Sequence, residues 1–261
     1  MDLVFNEVAF RHSSSSEEVL KSINFSLKSP NTIGLIGCNG SGKSTLLRLI
    51  CGINRPTKGI ILFNGEKIKG ITSTKQKVSF LPENARLFLV GPTPEKDLLK
   101  ILKEENLVHQ VFKDYNVDKY STRKLYHLSE GQRRLFALII IFQTSSDVIL
   151  LDEPTIGLDL NGRKIFQDLL SKANDQGKLV IVATNDAQIF PFFNHLLVIH
   201  DNTLSLNGKT EDVLYSLEEM THNLPNQTVR LIKRINESGK TTIPKIITPS
   251  SLNTYLSKWR D

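Results

Sequence analysis

The spacing of apolar residues divides the chain into strand-like and helix-like segments. Apolar and polar residues alternate over 3–10 and 19–27, which predicts two strands on either side of a polar, serine-rich segment. The run at 148–151 is apolar throughout, which favours a central parallel strand. Further strands are predicted at 33–36, 60–63, 78–81, 179–184, 196–200 and 203–206. The last two form a hairpin, because Asp201 and Asn202 between them suit a two-residue turn.

Helical spacing dominates two other regions. From residue 93 to about residue 142, apolar residues recur every three or four positions, which predicts a helical insertion between strands of the sheet. Three short helices are predicted near the end of the chain, at 212–220, 228–236 and 243–261. We therefore expect an α/β domain over 1–217, with an N-terminal antiparallel β subdomain and the helical insertion at about 93–142. Residues 218–261 form a small C-terminal helical appendage in this interpretation.

Composition narrows the class of protein without identifying it. The chain has 261 residues, 39% of them hydrophobic, which is enough for one large α/β domain with a small addition. The longest apolar run, 135–142, is far shorter than the roughly 20 residues of a membrane span, and we expect a soluble chain without a signal peptide. The net charge of +6 comes from dispersed basic residues, which fits a solvated surface or a nearby anionic lipid or nucleotide. We expect no nucleic-acid partner.

Residues 37–45 carry the strongest chemical signal. They match the pattern G-x-x-x-x-G-K-[ST] between a predicted strand and a predicted helix, which is the context of a phosphate-binding loop. The inward-facing backbone N–H groups and the helix start attract phosphate, Lys43 neutralises the outer phosphates, and Ser44 is placed to bind Mg²⁺. The alternative is a glycine-rich turn without a ligand. The predicted nucleotide-binding residues of the loop are Asn39, Gly40, Ser41, Gly42, Lys43, Ser44 and Thr45.

Two carboxylates follow the apolar strand at 148–151. Functional groups of α/β sheets collect at the carboxyl ends of the strands, and Asp152 and Glu153 stand at that position. We predict that Asp152 holds Mg²⁺ through water and that Glu153 orients or polarises an attacking water. A solvated acidic turn is the alternative if no nucleotide binds at Lys43.

Two weaker signals also point to a nucleotide. Ser129 opens an apolar helix after a small-residue turn, so it is either an ordinary N-cap or a second anion-binding helix start. Phe10 lies just before the serine-rich segment, where its ring either stacks on a purine base or packs in the core.

In this order the motifs resemble those of the nucleotide-binding subunit of ABC transporters, over about residues 3–217. The likeness rests on Phe10, the phosphate loop, the signature segment 128–132, Asp152 with Glu153, and the turn at 157–159. It implies the fold of a P-loop nucleotide-binding domain, with ATP and Mg²⁺ bound between two such subunits. It also implies an integral membrane partner and a peripheral location on the cytoplasmic face of the cell membrane. Within that family, Ser129, Gly131, Gln132 and Asp159 are implied to contribute to nucleotide binding, the signature segment serving the nucleotide of the second ATPase subunit.

Two positions depart from the family pattern. Glu83 stands where a glutamine contacts Mg²⁺ and the attacking water, and Asn185 stands where a histidine contacts the γ-phosphate. Glu83 can still bind the metal but adds negative charge, and Asn185 is shorter than histidine and cannot take up a proton. We hypothesise that the site binds ATP and hydrolyses it slowly, with Glu153, Asn185 and Glu83 as its catalytic residues. Compensation by the neighbouring Asp186 is the alternative.

The function predicted from the resemblance is an ATP-binding and ATP-hydrolysing subunit that powers a transporter. The C-terminal segment from 224 to 252 resembles that of the energy-coupling-factor ATPases, whose dimer partner is often a second, non-identical ATPase. Two alternatives remain open. One is a soluble ABC ATPase of a non-membrane assembly. The other is a nucleotide-sensing, poorly catalytic partner of a second ATPase, which Glu83 and Asn185 favour and Glu153 opposes.

Overall fold

Strands and helices follow the predicted order in the computed structural model, which describes residues 1–13, 16–74, 77–220, 227–239 and 242–257. The strands are β1 (Asp2–Arg11), β2 (Glu18–Lys28), β3 (Asn31–Gly37), β4 (Lys58–Phe63), β5 (Glu66–Lys67), β6 (Val78–Leu81), β7 (Val148–Asp152), β8 (Leu179–Ala183), β9 (His195–His200) and β10 (Thr203–Lys209). The helices are α1 (Lys43–Ile50), α2 (Ile71–Thr74), α3 (Pro94–Leu102), α4 (Glu105–Asp114), α5 (Asp118–Ser121), α6 (Glu130–Phe142), α7 (Leu160–Asp175), α8 (Thr210–Met220), α9 (Gln227–Glu237) and α10 (Pro249–Ser257). Short 3₁₀ turns cover Ala85–Leu87, Leu125–His127 and Phe190–Phe192.

A six-stranded sheet in the order β10-β9-β3-β8-β7-β6 forms the centre of the fold. Neighbouring strands from β9 to β6 pair in parallel, and β10 pairs antiparallel with β9. The turn between β9 and β10 has positive φ angles at Asp201 and Asn202, as the predicted two-residue hairpin requires. Every residue of β7 is buried, and its side chains alternate between the two faces of the sheet. The prediction of a buried, parallel central strand is confirmed.

A second, antiparallel sheet in the order β2-β1-β4-β5 packs against one face of the first. Phe5 of β1 pairs with Phe25 of β2, and their rings stack with centroids 4.3 Å apart. The core between the two sheets also contains α1, whose apolar residues are almost completely buried. The predicted α/β fold with an N-terminal antiparallel β subdomain is therefore confirmed.

The other face of the central sheet is covered by helices. α6 and α7 bury their apolar sides against β7 and β8, because burial on this face removes their aliphatic and aromatic surface from water. The helices α3 to α6 lie between β6 and β7 in the chain, where the apolar spacing predicts them.

The C-terminal helices have a small apolar cluster of their own. Ile232, Ile243 and Leu252 are buried together, and Tyr215 of α8 packs against them and accepts a hydrogen bond from the Ile246 N–H (3.0 Å). The predicted boundary after residue 217 therefore falls within α8 rather than between elements. The end of the third predicted helix, 258–261, lies outside the described residues.

Candidate functional site

The carboxyl ends of four parallel strands meet at one edge of the central sheet and form an open cleft. β3 leads into the phosphate loop, β7 into Glu153, β8 into Thr184 and Asn185, and β6 into Glu83. Because parallel strands point their carboxyl ends the same way, segments far apart in the sequence become neighbours. The cleft has a volume of about 740 Å³ and is lined by His12, Val19, Asn39, Gly40, Gly42, Lys43, Ser44, Thr45, Glu83, Asp152, Glu153, Ile156 and Asn185.

The phosphate loop turns sharply at Gly42 to start α1. Gly42 has φ +103°, and a Cβ atom built on it would lie 2.6 Å from Cδ2 of Leu20. A side chain at this position is therefore excluded by both conformation and space. Among the described residues, no side chain caps α1, so its first backbone N–H groups face the cleft without an intrahelical acceptor. These N–H groups form a site for an anion at the position that the sequence predicts.

Lys43 lies at the floor of the cleft. Its Nζ atom donates hydrogen bonds to the carbonyl oxygens of Gly37 (2.7 Å) and Cys38 (3.3 Å). Burial lowers the pKa of Lys43, while the negative charges of Glu153 and Asp152 act in the opposite direction. The buried hydroxyl of Ser41, the preceding polar residue of the loop, has no hydrogen-bond partner among the described residues. Among the described residues, the ammonium donates to these two carbonyl oxygens, and it can exchange them for the more strongly accepting oxygens of a phosphate.

Asp152 and Ser44 form the donor set expected for Mg²⁺. Asp152 is buried at the end of β7, and the Ser44 hydroxyl donates a hydrogen bond to its carboxylate. Burial raises the pKa of Asp152, and the hydrogen bond from Ser44 opposes that shift. Glu83 is exposed and lines the same cleft. A hydroxyl and carboxylate oxygens fit a hard cation that keeps several waters and phosphate oxygens as further ligands.

Glu153 directs a carboxylate into the cleft from a strained backbone. Its φ of +46° is unusual for a residue with a side chain, and its N–H donates to the Ala183 carbonyl (2.8 Å). Burial raises the pKa of Glu153. The Lys43 charge, the Thr184 hydroxyl and the Asn185 backbone N–H lower it. A carboxylate whose pKa is raised by burial is suited to accept a proton from water.

Asn185 lies across the mouth of the cleft from the phosphate loop. Its Nδ2 atom donates to Oδ1 of Asn39 at 3.1 Å, and both side chains are exposed. The neighbouring Asp186 instead accepts hydrogen bonds from Thr155 (2.9 Å) and from Arg163. Asp186 is therefore engaged away from the cleft, and the geometry does not support the alternative that it compensates for Asn185.

Of the two positions predicted for Phe10, the structure shows the core and not the cleft. Phe10 is 7% exposed and packs in the core between the two sheets, where its ring contacts His12 edge-on at 4.9 Å between centroids. A buried ring has no free face for a base, and the structure places His12 on the cleft instead. His12 follows the last residue of β1, so it escapes the core that holds Phe10.

The signature segment does not reach the cleft of its own chain. Ser129 and Gln132 satisfy each other in a capping box at the start of α6, with bonds of 3.1 and 3.0 Å. Gly131 passes so close to the 154–158 loop that a built Cβ would lie 2.3 Å from the Gly157 carbonyl oxygen. Asp159 caps α7 by accepting from the Gly162 N–H (2.7 Å). These residues do not line the cleft among the described residues, so they stand apart from the other predicted site residues.

Sequence reasoning missed two residues of this region. His12 is identifiable in the sequence as the ring that directly precedes the serine-rich segment. Arg134 on α6 donates hydrogen bonds to the backbone carbonyl oxygens of Glu153 and Glu83. In the sequence it is marked only as a cation on the helix face that also carries the apolar Leu138 and Ile141.

Comparison with known proteins gives a consistent result. Residues 20–156 match the ABC transporter family. The energy-coupling factor transporter ATP-binding protein EcfA of Methanocaldococcus jannaschii is 32% identical over 213 residues, covering 77% of this chain and 76% of that protein. The EcfA protein of Methanosphaera stadtmanae is 31% identical over 214 residues, covering 77% of each chain.

Solved structures share the fold. The structure of cbiO1 from Clostridium perfringens, part of the ABC transporter complex cbiONQ, has a TM-score of 0.72 at 24% identity, over 92% of this chain and 98% of that one. A dimeric ATP-binding cassette in a post-hydrolysis state with ADP and Pi has a TM-score of 0.71 at 22% identity, over 80% of this chain and 98% of that one.

Proposed function

Since this chain belongs to the ABC transporter family, we propose that it is the ATP-binding and ATP-hydrolysing subunit of a membrane transporter. One observation carries the proposal. Lys43, Asp152 and Glu153 line a single cleft beside an uncapped helix start, so phosphate binding, metal binding and water activation are available at one place.

Each residue has a distinct role in this proposal. The N–H groups of the loop and the Lys43 ammonium bind the β- and γ-phosphates, and His12 lies against the base. Ser44, Asp152 and Glu83 would hold Mg²⁺, which neutralises charge on the phosphates when bound. Glu153 orients the attacking water and accepts its proton, a role that its raised pKa supports.

The active form in this proposal is a dimer. Ser129, Gly131 and Gln132 lie away from the cleft of their own chain, which is the arrangement expected if they complete the cleft of a second ABC ATPase. The partner is an identical or a related subunit. The names of the EcfA relatives favour an energy-coupling-factor transporter.

We further propose that hydrolysis at this cleft is slow. Glu83 adds a carboxylate to a region that already contains Asp152 and Glu153, which disfavours the approach of phosphate. Asn185 offers an amide in place of an imidazole, and that amide is hydrogen-bonded to Asn39. The phosphate loop and Lys43 remain available for binding, and both departures disfavour rapid turnover, which is also what a nucleotide-sensing partner would need.

The membrane partner docks, in this proposal, beside the cleft on the face formed by residues 86–90 and 125–127. Leu87, Val90 and Tyr126 are 70%, 76% and 69% exposed, and one pocket lined by Arg86, Leu89, Leu125 and Tyr126 places the two segments side by side. Among the described residues no helix is both long and apolar enough to cross a membrane. Membrane association on the cytoplasmic face would therefore come through the partner.

We retain 1–217 as the ATPase domain, with its helical insertion at about 93–142, and 218–261 as the appendage.

Two measurements on the purified chain test the catalytic proposal. ATP turnover and binding of a non-hydrolysable ATP analogue are compared with Lys43→Ala and Glu153→Gln. We expect Lys43→Ala to lose binding and Glu153→Gln to bind without turnover. Analogue binding by an unmodified chain that never hydrolyses ATP, alone or with a partner ATPase, would favour nucleotide sensing. Absence of analogue binding would refute both functions.

The transport proposal needs its own experiment. The chain is recovered from detergent-solubilised membranes of its source, with Val90→Asp as the test variant and Ile71→Asp as a control at another exposed apolar position. We expect an integral membrane protein to accompany the unmodified chain and the control but not Val90→Asp. Recovery with no integral membrane protein would favour a soluble ABC ATPase of a non-membrane assembly.

A further inference from the structure

A buried guanidinium connects the signature helix to the catalytic segments. Arg134 of α6 is 2% exposed, and its Nη1 atom donates to the Glu153 carbonyl oxygen at 2.7 Å. Its Nη2 atom donates to the Glu83 carbonyl oxygen. The Nε atom has no hydrogen-bond partner among the described residues. One rigid fork therefore bridges two segments that are far apart in sequence and adjacent at the cleft.

The bond to Glu153 acts on a strained residue. Glu153 has φ +46° and precedes Pro154, and both features disfavour the conformation it adopts. Its N–H is fixed by the Ala183 carbonyl, and its own carbonyl is fixed by Arg134. With both backbone groups held, the backbone position from which the carboxylate extends is fixed before a nucleotide arrives.

The bond to Glu83 has a different consequence. Glu83 is exposed and lies in the 82–84 segment outside β6, so its own strand does not hold it. Arg134 anchors its carbonyl while the carboxylate remains on the cleft. The buried guanidinium lies in an acidic region. Its positive charge is stabilised by four carboxylates, those of Glu130, Glu83, Glu153 and Asp152.

We propose that Arg134 is a positioning residue that holds the backbones of Glu83 and Glu153 so that both carboxylates face the nucleotide. The inference rests on the proposed function, since it concerns how that cleft hydrolyses ATP. Because Arg134 lies on the helix that Ser129 opens, it also ties the geometry of the two carboxylates to the signature segment.

The chain offers a matched control in the adjacent residue. Arg133 belongs to the same helix, is similarly buried, and also donates to backbone carbonyls, those of Leu125 (3.2 Å) and Leu128. Its carbonyl partners lie in the 125–128 turn and not at the cleft. Arg133→Gln therefore removes comparable bonds without releasing Glu83 or Glu153.

The kinetic test compares Arg134→Gln and Arg133→Gln with the unmodified full chain. We expect Arg134→Gln to lower kcat about 10- to 100-fold, because small displacements of catalytic groups have effects of this size. KM should stay within about threefold in Arg134→Gln. Arg133→Gln should lose less kcat than Arg134→Gln, because it releases the start of the signature segment at Leu128 but neither Glu83 nor Glu153. If Arg134→Gln does not fold, Arg134→Lys and Arg133→Lys replace the pair, since an ammonium cannot reproduce the fork.

Hydrogen exchange provides a readout that does not depend on turnover. Backbone N–H groups in 83–87 and 153–158 should exchange faster in Arg134→Gln than in Arg133→Gln, without nucleotide. Unchanged kcat and unchanged exchange in Arg134→Gln would overturn the inference, as would equal losses in both variants. An unmodified chain that neither binds nor hydrolyses ATP would instead refute the proposed function, and exchange would still decide whether Arg134 holds the two segments.

Discussion

Replacement of Asn185 by histidine should raise the turnover of ATP. The Asn185 amide lies at the mouth of the cleft and donates to Asn39 at 3.1 Å, so it is directed at the loop that binds phosphate. A histidine side chain extends farther and donates from an imidazole that can become charged. A hydrogen bond to a charged group contributes about 1.5–3 kcal/mol, which corresponds to about 10- to 150-fold in rate at 1.36 kcal/mol for each factor of ten.

Most of this gain should appear in kcat. The bond between Asn185 and Asn39 is exposed, so water replaces it at little cost, and KM should change by less than about threefold. Steady-state ATP hydrolysis is measured for the unmodified chain, Asn185→His and Asn185→Gln. The glutamine variant extends the same amide and separates reach from imidazole chemistry. A kcat for Asn185→His within about threefold of the unmodified value would refute our explanation of slow hydrolysis.

Three further predictions concern the same cleft. Phe10→Ala should lower the free energy of unfolding by about 3–5 kcal/mol, because it empties a core position. His12→Ala should instead weaken binding of an ATP analogue with little effect on stability. Denaturant unfolding measures the first effect and analogue titration the second. Gly42→Ala should weaken analogue binding strongly, because at φ +103° its Cβ would also lie 2.6 Å from Cδ2 of Leu20 and 3.0 Å from the Val19 carbonyl oxygen. Gly40→Ala has the backbone strain of φ +82° but meets no atom within 4 Å, so it should lose less binding. Chelation of Mg²⁺ should stop ATP turnover, and added Mg²⁺ should restore it. The turnover of Asp152→Asn should respond weakly to Mg²⁺ at any concentration. Equal responses to Mg²⁺ in the two proteins would contradict the assignment of Asp152 as a Mg²⁺ ligand.

The parts of the site that the sequence predicts are those that follow from strand polarity. Asp152 ends the apolar run of β7, and the loop that leads to Lys43 follows the apolar run of β3. Runs of that kind form parallel strands whose carboxyl ends share an edge. Proximity in the fold therefore follows from position relative to a strand. The same reasoning extends to Glu83 and Asn185, which are the second residues after β6 and β8 and line the cleft.

The sequence is less informative where a side chain depends on local irregularity. Phe10 and His12 are two positions apart, so simple alternation assigns both to one face. β1 is irregular in register around Phe10 and ends at Arg11, and His12 lies at the cleft rather than in the core.

Arg134 is hard to predict for a different reason. Its hydrogen bonds go to backbone carbonyls of distant segments, and every residue type has such a carbonyl, so the sequence does not identify the acceptors.

The distribution of altered and intact motifs favours two unequal sites in a dimer. Glu83 and Asn185 line the cleft of this chain, whereas Ser129 lies outside it and would serve the opposite cleft in the proposed dimer. The capping box of Ser129 and Gln132 is formed at the start of α6. A heterodimer with a fully equipped ATPase would then place rapid hydrolysis at the partner's cleft and retain ATP longer at the cleft of Lys43. A homodimer would carry the same departures at both clefts, so a fast homodimer in steady-state hydrolysis would contradict this reasoning.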